Sequence, residues 1–563
     1  MQPLPLLLAA TATFTALESI AFTELPAMSF CATSLPYPAT HSFSNLVYDY
    51  LSGDTRLADF YAFSADINGI EKAIAARREI PIDRQTLVSV LQQQYRHLPF
   101  SEQSNAQIQS LLSPQTFTVT TAHQPNLLTG YLYFIYKIIH AIRLAEELNQ
   151  KFPDQHFVPV YYMGSEDNDI EELGTFFYEG KKYFWPGDGS KGAVGRMKTE
   201  SLKPLLHELM QRMGPPGEQL EQLQLLLQEA YLEHDTMGQA TRFLVHQLFE
   251  QYGLLVIDPD DAALKQLFVP VMEEDLLEEN ALPPVAASAA RLSQHYKAQA
   301  FARPINLFYL KDGIRERIEK KDGRWQVLHT DISWSKDELL EELHTHPGRF
   351  SPNVILRPLF QEMILPDVAF IGGGSELAYW LQLKALFDQK RIFFPAIFLR
   401  QSVLILEEQA ASLRRQLDFR LEELFLSRQA QELLYLERQG KTCDISDETA
   451  AVKKAMLSLQ AKAVHVAPEL VYSAGAALAK MQYQLKVVER KMLRAEKKKA
   501  ATAMQRIAQL REFVFPGGTL QERKENFLPY YLKYGPGFIS LLHQNTQPFR
   551  SSFLILEAQN QNP

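Results

Sequence analysis

The sequence predicts an α/β protein, in which a parallel sheet is covered by helices and a long antiparallel α-helical coiled-coil arm is attached. Two observations carry this prediction. The first is a strand at residues 117–121, a helix at 131–149 and a strand at 157–163, which is the order of a βαβ unit. The second is a set of apolar residues near the carboxyl end that are spaced by three and four, as in a coiled-coil seam.

Length and composition are those of an ordinary globular protein. The chain has 563 residues, which suggests three or four folding units. Hydrophobic residues make up 46% and charged residues 22%, so wholesale disorder, collagen-like structure and a membrane-spanning body are excluded. Lysine and arginine number 57 against 66 aspartates and glutamates, and the formal net charge of −9 disfavours binding to a phosphate backbone. We therefore expect no nucleic-acid partner and no membrane association.

The two cysteines, Cys31 and Cys443, lie far apart and outside any Cys-x-x-Cys spacing. They indicate neither a zinc site nor a disulfide framework, and they predict a reduced, cytoplasmic protein. Residues 1–27 contain a short apolar run, but no lysine or arginine precedes Arg56. A secretory signal needs a basic region, so we interpret Met28 as the start, with a degenerate export signal as the alternative.

Residues 28–116 are predicted to form a helical region that packs on the core. Their apolar residues recur at helical spacing. The positions expected to be buried are Leu46, Tyr50, Leu57, Phe60, Ile70, Ile74, Leu87, Leu91 and Leu98.

Residues 117–400 are predicted to form the parallel-sheet core. Helical and mixed patterns near 185–250 and 275–345 indicate insertions into this one α/β domain. Beyond the βαβ unit, further strands are expected at 253–257, 354–356 and 368–371.

Residues 401–515 are predicted to form the coiled-coil arm. The apolar positions of its first helix are Leu406, Ala410, Leu413, Leu417, Leu421 and Leu424. Those of its second helix are Leu478, Met481, Leu485, Val488, Met492 and Ala495. Because exposed apolar surface of this extent marks an interface, we expect a homodimer through the arm. The basic run at 494–499 is interpreted as a solvated face rather than an anion-docking patch.

Residues 516–563 are predicted to form a helical tail. Proline and glycine at 516–518 end the arm, since they cannot continue a helix. Thr519 and Glu522 have the spacing of a capping box, which predicts that the next helix begins there.

The first candidate site follows the strand at 117–121. His123, Gln124, Asn126 and Gly130 lie between the carboxyl end of that strand and the start of the next helix, where α/β sheets bind ligands. The N–H groups of a helix start favour a phosphate or carboxylate there, and a histidine can act as an acid or base. The alternative is that His123 only caps local backbone.

The second candidate site is an acidic loop directly after the strand at 157–163. It contains Glu166, Asp167, Asp169, Glu171 and Glu172, whose carboxylates repel one another. A magnesium ion carrying phosphates, or a substrate ammonium group, would offset that repulsion. The alternative is a helix amino terminus whose acidic residues complement the helix dipole.

The third candidate site is built around Arg357, which comes directly after the apolar residues 354–356. A cation there needs an anionic partner, and glycines after Ile371 let a ligand approach the backbone closely. The alternative is an internal ion pair between Arg357 and Glu362 together with a tight turn. The binding candidates in this site are Arg357, Gln361, Gly373, Gly374, Glu376 and Tyr379.

These segments together resemble the bacillithiol-biosynthesis cysteine-adding enzyme family, BshC. The resemblance runs from about residue 28 to 550, and its blocks occur in the order of the family. The matching blocks are Asp49 to Asp54, Thr121 to Gly130, Glu166 to Asp169, Leu356 to Glu362, Gly373 to Trp380 and Leu520 to Arg523.

The resemblance implies a Rossmann-like core with inserted connecting regions and a coiled coil that supports a homodimer. It also implies addition of cysteine to glucosaminyl-malate in the last step of bacillithiol synthesis, with ATP and magnesium expected for carboxylate activation. His123, Asp167 and Asp169 are then the catalytic candidates, and magnesium would be held by Glu166 with the two aspartates. Members of the family often have glycine at position 122 and histidine at 168, where this chain has Ala122 and Asn168.

Two other functions fit the same residues. One is a nucleotidyltransferase that adenylates another small acid. The other is a coiled-coil scaffold whose core binds a nucleotide without turnover.

Overall fold

The structure, a computed structural model, describes residues 30–214, 216–441 and 443–559. The predictions for residues 1–27 and for a start at Met28 lie outside the described residues. No helix among the described residues is long and apolar enough to cross a membrane.

The helices and strands are numbered in chain order over the described residues. The strands are β1 (Phe30–Pro36), β2 (Thr116–His123), β3 (His156–Met163), β4 (Thr175–Tyr178), β5 (Lys181–Phe184), β6 (Leu255–Ile257), β7 (Leu307–Lys311), β8 (Ile314–Lys321), β9 (Arg324–Val327), β10 (Ser333–Trp334), β11 (Phe350–Pro352), β12 (Asp367–Gly372), β13 (Ala396–Leu399), β14 (Val403–Leu406) and β15 (Ser552–Ala558). The helices are α1 (Asn45–Leu51), α2 (Ile67–Arg78), α3 (Arg84–Tyr95), α4 (Glu102–Ser110), α5 (Leu132–Lys151), α6 (Ile170–Leu173), α7 (Lys203–Arg212), α8 (Glu218–Leu232), α9 (Met237–Phe249), α10 (Ala262–Glu278), α11 (Leu282–Leu292), α12 (Lys336–Thr345), α13 (Arg357–Ile364), α14 (Gly374–Lys390), α15 (Glu408–Leu417), α16 (Arg428–Arg438), α17 (Ser446–Val466), α18 (Leu470–Lys499), α19 (Ala501–Val514), α20 (Leu528–Tyr534) and α21 (Gly537–Asn545).

The central sheet is parallel throughout, with the strand order β13-β12-β2-β3-β6. Its strands read as apolar runs because helices cover both faces of a parallel sheet. From β2 the chain first proceeds through β3 to β6, and later returns to the other side of β2 as β12. The strand order therefore reverses between β2 and β12, and the crevice at the carboxyl ends of these two strands is where open α/β sheets bind ligands. The predicted parallel-sheet core is confirmed.

Helix α5 connects β2 to β3 and confirms the predicted βαβ unit. It is 20 residues long, and most of its apolar residues are buried against the sheet. Lys137 lies within this apolar stretch and is itself only 3% exposed. A lysine is rarely buried without a charged partner, so this position marks an ion pair.

The inserted regions hold structure that the sequence patterns did not resolve. Between β3 and β6 lie the hairpin β4–β5 and the helices α7, α8 and α9. Between β6 and β12 lie α10, α11, α12 and a five-stranded sheet of order β10-β9-β8-β7-β11, whose pairs are antiparallel.

The strand predicted at 354–356 is wrong. Those residues form the turn before α13, and Val354 is 44% exposed. The cause is Asn353, whose side-chain oxygen accepts the N–H groups of Ile355 at 2.8 Å and Leu356 at 3.3 Å. This bonding turns the chain into a helix, so Arg357 begins α13 instead of following a strand.

The helix predicted from Leu406 to Leu424 is also wrong. Leu406 belongs to β14, which pairs with β15 in a three-stranded sheet of order β1-β15-β14. Helix α15 begins only at Glu408 and ends at Leu417, where Asp418 adopts a left-handed conformation with φ of 56°. The apolar residues of α15 are buried in the body of the protein, which explains their spacing without an arm.

The coiled-coil arm consists of α17 and α18, which pack against each other and are joined by residues 467–469. Helix α18 has no buried residue among those described. Three of its predicted seam residues remain about half exposed, with exposed fractions of 45% for Met481, 50% for Val488 and 42% for Met492. One helix pair alone therefore does not bury the seam.

The predicted capping box at Thr519 and Glu522 is wrong. The side chain of Glu522 is 1% exposed and bonds to Arg400 instead of reaching back to Thr519. The next α-helix, α20, begins at Leu528. The tail also ends in a strand, β15, which joins β1 near the amino end of the described chain.

Candidate active site

A cavity of about 610 Å³ opens at the carboxyl ends of β2, β3 and β12. Ten of the predicted site residues line it, namely His123, Gln124, Glu166, Asp167, Glu172, Arg357, Gly373, Gly374, Glu376 and Tyr379. Six further lining residues were not predicted from the sequence, namely Lys137, Arg315, Arg400, Arg523, Tyr133 and Tyr162. Five predicted site residues, Asn126, Gly130, Asp169, Glu171 and Gln361, do not line the cavity.

His123 is the last residue of β2, and its ring lies against two aromatic rings, those of Tyr133 and Phe134, at 5.4 and 5.3 Å. Its Nε2 is buried and has no hydrogen-bond partner among the described residues. Burial, reinforced by the nearby charges of Lys137 and Arg400, lowers the pKa of His123 well below its usual value. The imidazole is therefore neutral near pH 7, with one nitrogen able to donate and the other able to accept a hydrogen bond.

Buried Lys137 and partly buried Glu376 form an ion pair in the wall of the cavity. The lysine Nζ also donates to the backbone oxygen of Ala122 at 3.0 Å. Glu376 accepts the N–H of Gly373 at 2.8 Å and thereby caps the start of α14. Burial lowers the pKa of Lys137 although Glu376 opposes this effect. The pair joins the end of β2 to the glycine turn after β12.

Arg400 lies directly after β13, and its guanidinium is held by Glu522. Its Nε is buried without a hydrogen-bond partner among the described residues. A β-carbon placed on Gly373 would lie 4.0 Å from that Nε. Arg400 thus borders the glycine turn, and a side chain at position 373 would fill the space between them.

Arg357 has only neutral hydrogen-bond partners among the described residues. Its Nη1 donates to Gln361 Oε1 at 3.1 Å and its Nη2 donates to the hydroxyl of Tyr379 at 3.0 Å. The guanidinium also lies 5.4 Å from the ring centre of Tyr162. The alternative ion pair with Glu362 is absent from the described structure, so the charge of Arg357 remains available to an anion in the cavity.

Gln361 is buried, accepts a hydrogen bond from Arg357 and does not line the cavity. Its Nε2 donates to Glu362 Oε1 at 2.9 Å and to Asp367 Oδ2 at 3.1 Å. Burial and the neighbouring Asp367 raise the pKa of Glu362 well above its usual value, so this acid pair retains a proton. Gln361 therefore positions Arg357 and does not itself reach a ligand.

Glu166 belongs to a buried charge network behind the acidic loop. Its Oε1 lies 2.5 Å from Nζ of Lys265, which also contacts Asp260 Oδ1 at 2.8 Å. Arg196 binds both oxygens of Asp260 at 2.6 and 2.7 Å. This network fixes Glu166 at the cavity wall and couples the loop to both insertions.

The three acidic residues predicted to bind magnesium do not converge. Glu166 is neutralised by Lys265, and Asp169 accepts the N–H of Glu172 at 3.1 Å as the cap of α6. Asp167 accepts from Gln124 Nε2 at 3.0 Å. No group of three or more metal-binding side chains occurs in residues 30–214, 216–441 and 443–559. Glu166, Asp167 and Asp169 therefore do not fit a preformed magnesium site.

Asn126 and Gly130 shape the turn after β2. Gly130 has a φ of 66°, and a β-carbon there would lie 2.9 Å from Cβ of Asn126. Asn126 is 1% exposed. These two residues hold the backbone behind His123 and lie outside the cavity.

Asn168, one of the two departures from the family pattern, contacts an inserted strand. Its Oδ1 accepts from Arg315 Nη1 at 3.1 Å, and its Nδ2 donates to the backbone oxygen of Arg315 at 3.4 Å. The other departure, Ala122, lines the cavity at the end of β2.

Two of the missed residues carry a signal in the sequence. Lys137 interrupts an apolar helix face, and Arg400 follows the apolar strand β13, which is the same kind of position that drew attention to Arg357. Arg315 lies among other charged residues of β8 and has no such signal. Only the fold brings it to the cavity.

The cavity can bind an anion beside the neutral imidazole of His123 and the partly exposed carboxylate of Asp167. Arg357 supplies a positive charge that has no carboxylate partner among the described residues, and His123 and Gln124 supply polar groups at the end of β2. Asp167 and Glu172 also line the cavity and supply negative charge that can bind an amine. This arrangement suits a reaction that joins a carboxylate to an amine.

Two protein-family models together match nearly the whole described chain. Residues 31–401 match the family model for bacillithiol biosynthesis BshC, N-terminal Rossmann-like domain, and residues 403–558 match that for its C-terminal coiled-coil domain. A protein of Christiangramia forsetii named "Putative cysteine ligase BshC" is 39% identical over 93% of this chain and 98% of its own length. Proteins of the same name from Flavobacterium johnsoniae and Salinibacter ruber are 38% and 30% identical over 93% and 90% of this chain, and over 99% and 94% of their own lengths.

Among solved structures, a chain titled as a putative arginyl-tRNA synthetase from Campylobacter jejuni is similar to 79% of this chain and 97% of its own. The sequence identity is 12% and the TM-score is 0.23. A TM-score this low supports no inference about fold or function.

Proposed function

The chain belongs to the bacillithiol-biosynthesis BshC family, and from this membership we propose that it is a cysteine ligase. The proposed reaction joins the carboxyl group of L-cysteine to the amine of glucosaminyl-malate through an amide bond, in the last step of bacillithiol synthesis. The observation that carries this proposal is the match of both family domains around one cavity. This cavity holds a neutral histidine, His123, and Arg357, which has no carboxylate partner among the described residues.

A carboxylate does not react with an amine until it is activated, so we propose ATP as the energy donor. In one route a carboxylate oxygen of cysteine attacks the α-phosphorus and pyrophosphate leaves. The amine nitrogen of the acceptor then attacks the carbonyl carbon, AMP leaves and the nitrogen loses a proton. An acyl-phosphate route is the alternative, in which the carboxylate attacks the γ-phosphorus, ADP leaves, and phosphate leaves in the second step.

The residues of the cavity suit these steps. Arg357 would bind a phosphate or carboxylate, because its charge has no carboxylate partner among the described residues. His123 and Gln124 would donate hydrogen bonds to phosphate oxygens, and the low pKa of His123 keeps its imidazole neutral during binding. Asp167 would hold the acceptor amine. Magnesium would arrive bound to the phosphates, since the acidic loop offers no preformed site.

The test is to incubate the full-length protein with ATP, magnesium, cysteine and glucosaminyl-malate and to search for bacillithiol by mass spectrometry. Formation of bacillithiol with stoichiometric AMP or ADP supports the ligase and identifies the route. Nucleotide turnover with another acid and without bacillithiol would favour a different adenylating enzyme. Nucleotide binding without any turnover would favour a scaffold.

We also propose that the protein acts in the cytoplasm as a homodimer held through the arm. The uncovered apolar residues of α18 support the dimer, because a second copy would bury them. The use of small intracellular metabolites as substrates supports the location.

A further inference from the structure

Arg315 lies in the inserted antiparallel sheet, yet its side chain lines the cavity of the parallel sheet. It is the second residue of β8, and its guanidinium stacks on Phe308 at 4.1 Å from the ring centre. The side chain is only 10% exposed. A cation that is nine-tenths buried needs an anionic partner to offset its desolvation.

The protein itself supplies little of that compensation. Among the described residues, the only hydrogen bond from the guanidinium of Arg315 goes to the neutral amide of Asn168, and its buried Nε has no partner. The nearest carboxylate oxygen is Oδ1 of Asp167 at 3.8 Å, which is beyond hydrogen-bond distance. That carboxylate already accepts the backbone N–H of Asn168 at 2.8 Å and the side chain of Gln124 at 3.0 Å.

Two other carboxylates lie near enough to influence Arg315 electrostatically, but each has a cation of its own. Glu166 contacts Lys265, and Asp260 contacts both Lys265 and Arg196. The positive charge of Arg315 is therefore offset only by a long ion pair with Asp167, and no described carboxylate accepts a hydrogen bond from its guanidinium.

We infer that Arg315 binds an oxyanion of a substrate, a carboxylate or a phosphate, and that Asn168 positions it for this contact. The inference rests on the proposed ligase function, which supplies three such anions: the carboxylates of glucosaminyl-malate, the carboxylate of cysteine and the phosphates of ATP. The two hydrogen bonds between Asn168 and Arg315 hold the inserted strand to the acidic loop. The inserted sheet thereby contributes a substrate contact that the parallel sheet alone lacks.

The test measures binding separately from turnover. Glucosaminyl-malate, cysteine and magnesium-ATP are titrated one at a time by calorimetry into the full-length protein and into Arg315→Gln. We expect the affinity for one probe to fall at least about 10-fold, the scale of a charge-assisted hydrogen bond, while the other two change less than about 2-fold. The probe that weakens identifies the anion.

A matched control comes from the same strand. Arg317 lies two residues farther along β8, is 34% exposed and pairs with Glu319 at 3.6 Å. Arg317→Gln should leave all three affinities unchanged. Asn168→Ala, which keeps the guanidinium but removes its support, should weaken the same probe by a smaller factor than Arg315→Gln.

Several outcomes would overturn the inference. They are unchanged affinities in Arg315→Gln, an equal loss for all three probes, no binding of any probe to the wild type, or an equal loss in Asn168→Ala, which would make Arg315 a structural link only. The ligase proposal is judged by bacillithiol formation instead. A wild type that binds through Arg315 but forms no bacillithiol would retain the subsite and reject the ligase.

Discussion

The guanidinium of Arg400 donates to both carboxylate oxygens of Glu522, with Nη1–Oε2 and Nη2–Oε1 distances of 2.8 and 2.6 Å. The pair is buried, with side-chain exposures of 5% and 1%. It joins the end of β13 in the parallel sheet to the segment that follows the arm. The same guanidinium lines the cavity. The pair therefore both stabilises the contact between the parallel sheet and the segment after the arm and holds Arg400 in place at the site.

Glu522→Ala should destabilise the protein strongly. Removing one partner of a buried ion pair leaves an uncompensated charge, which costs about 3–5 kcal/mol. The midpoint of chemical denaturation measures the effect. The control is Glu319→Ala, since Glu319 is 52% exposed and its surface pair with Arg317 contributes about 0–1 kcal/mol. Similar shifts in the two variants would show that Arg400 is solvated or has another partner.

Loss of His123 should impair turnover while the fold persists. If its neutral imidazole bonds to the reacting phosphate, His123→Ala should lower kcat by at least about 10²-fold. His123→Asn keeps an N–H donor and should recover part of the rate. Wild-type turnover in His123→Ala, with unchanged circular dichroism, would leave His123 as a local cap.

His140 should make the protein sensitive to acid. Its Nδ1 accepts from the N–H of Gln401 at 2.9 Å and its Nε2 donates to the oxygen of Pro548 at 3.1 Å, which fixes a neutral tautomer. Burial lowers the pKa of His140 to about 4. Between pH 6.5 and 4 the unfolded chain binds a proton that the folded chain does not. The free energy of unfolding therefore decreases by up to about 3 kcal/mol as the pH is lowered through this range.

The measurement for His140 is the free energy of unfolding between pH 4.5 and 7.5. In His140→Gln this part of the pH dependence should disappear, leaving a shallower slope than in the wild type. His465, an exposed histidine of α17, provides the control. The expectation fails if His140→Gln and His465→Gln retain the same slope.

Arg357→Gln should weaken the binding of an anionic substrate at least about 10-fold, because a charge-assisted contact is lost. Arg357→Lys keeps the charge but cannot form a bidentate hydrogen bond, so this variant should bind the anionic substrate with intermediate affinity. Calorimetric titration with ATP and with glucosaminyl-malate measures both variants. Arg349→Gln, which disrupts a pair with Glu342 outside the cavity, is the control. Unchanged affinity for both ligands in Arg357→Gln would exclude Arg357 as an anion-binding residue.

The arm should mediate dimerisation. Met481 and Val488 are about half exposed on α18, so replacing both with glutamate should produce a monomer, as measured by light scattering at micromolar concentration. Gln484→Glu adds one charge at an exposed position of the same helix and should remain dimeric. A monomeric wild type would reject the dimer.

A deletion tests the same interface independently. Because β14, α15 and α19 belong to the body, the deletion should be confined to residues 446–499, with a short linker across the gap. We expect a soluble monomer that still binds nucleotide. A dimer after this deletion would place the interface elsewhere.

The wrong predictions have a common physical origin. The run at 354–356 is apolar enough for a strand, but the side chain of Asn353 bonds to the backbone and turns the chain into α13. The spacing from Leu406 to Leu424 suits a coiled coil, yet it arises from burial against β15 and α19. Apolar periodicity reports that a face is buried and does not report what buries it.

The sequence by itself determined the βαβ unit, the strand β12 and the positions of His123 and Gln124 at the end of β2, since buried parallel strands and amphipathic helices leave a local pattern of apolar residues. It singled out Arg357 as a charge beside apolar residues, but it placed this residue after a strand and not at the start of α13. Only the tertiary structure decided that Lys137 faces Glu376 and that Arg315 reaches the cavity from an inserted sheet. The physical reason is that these contacts join residues more than 100 positions apart, and the chain closes such distances through packing that no local pattern encodes.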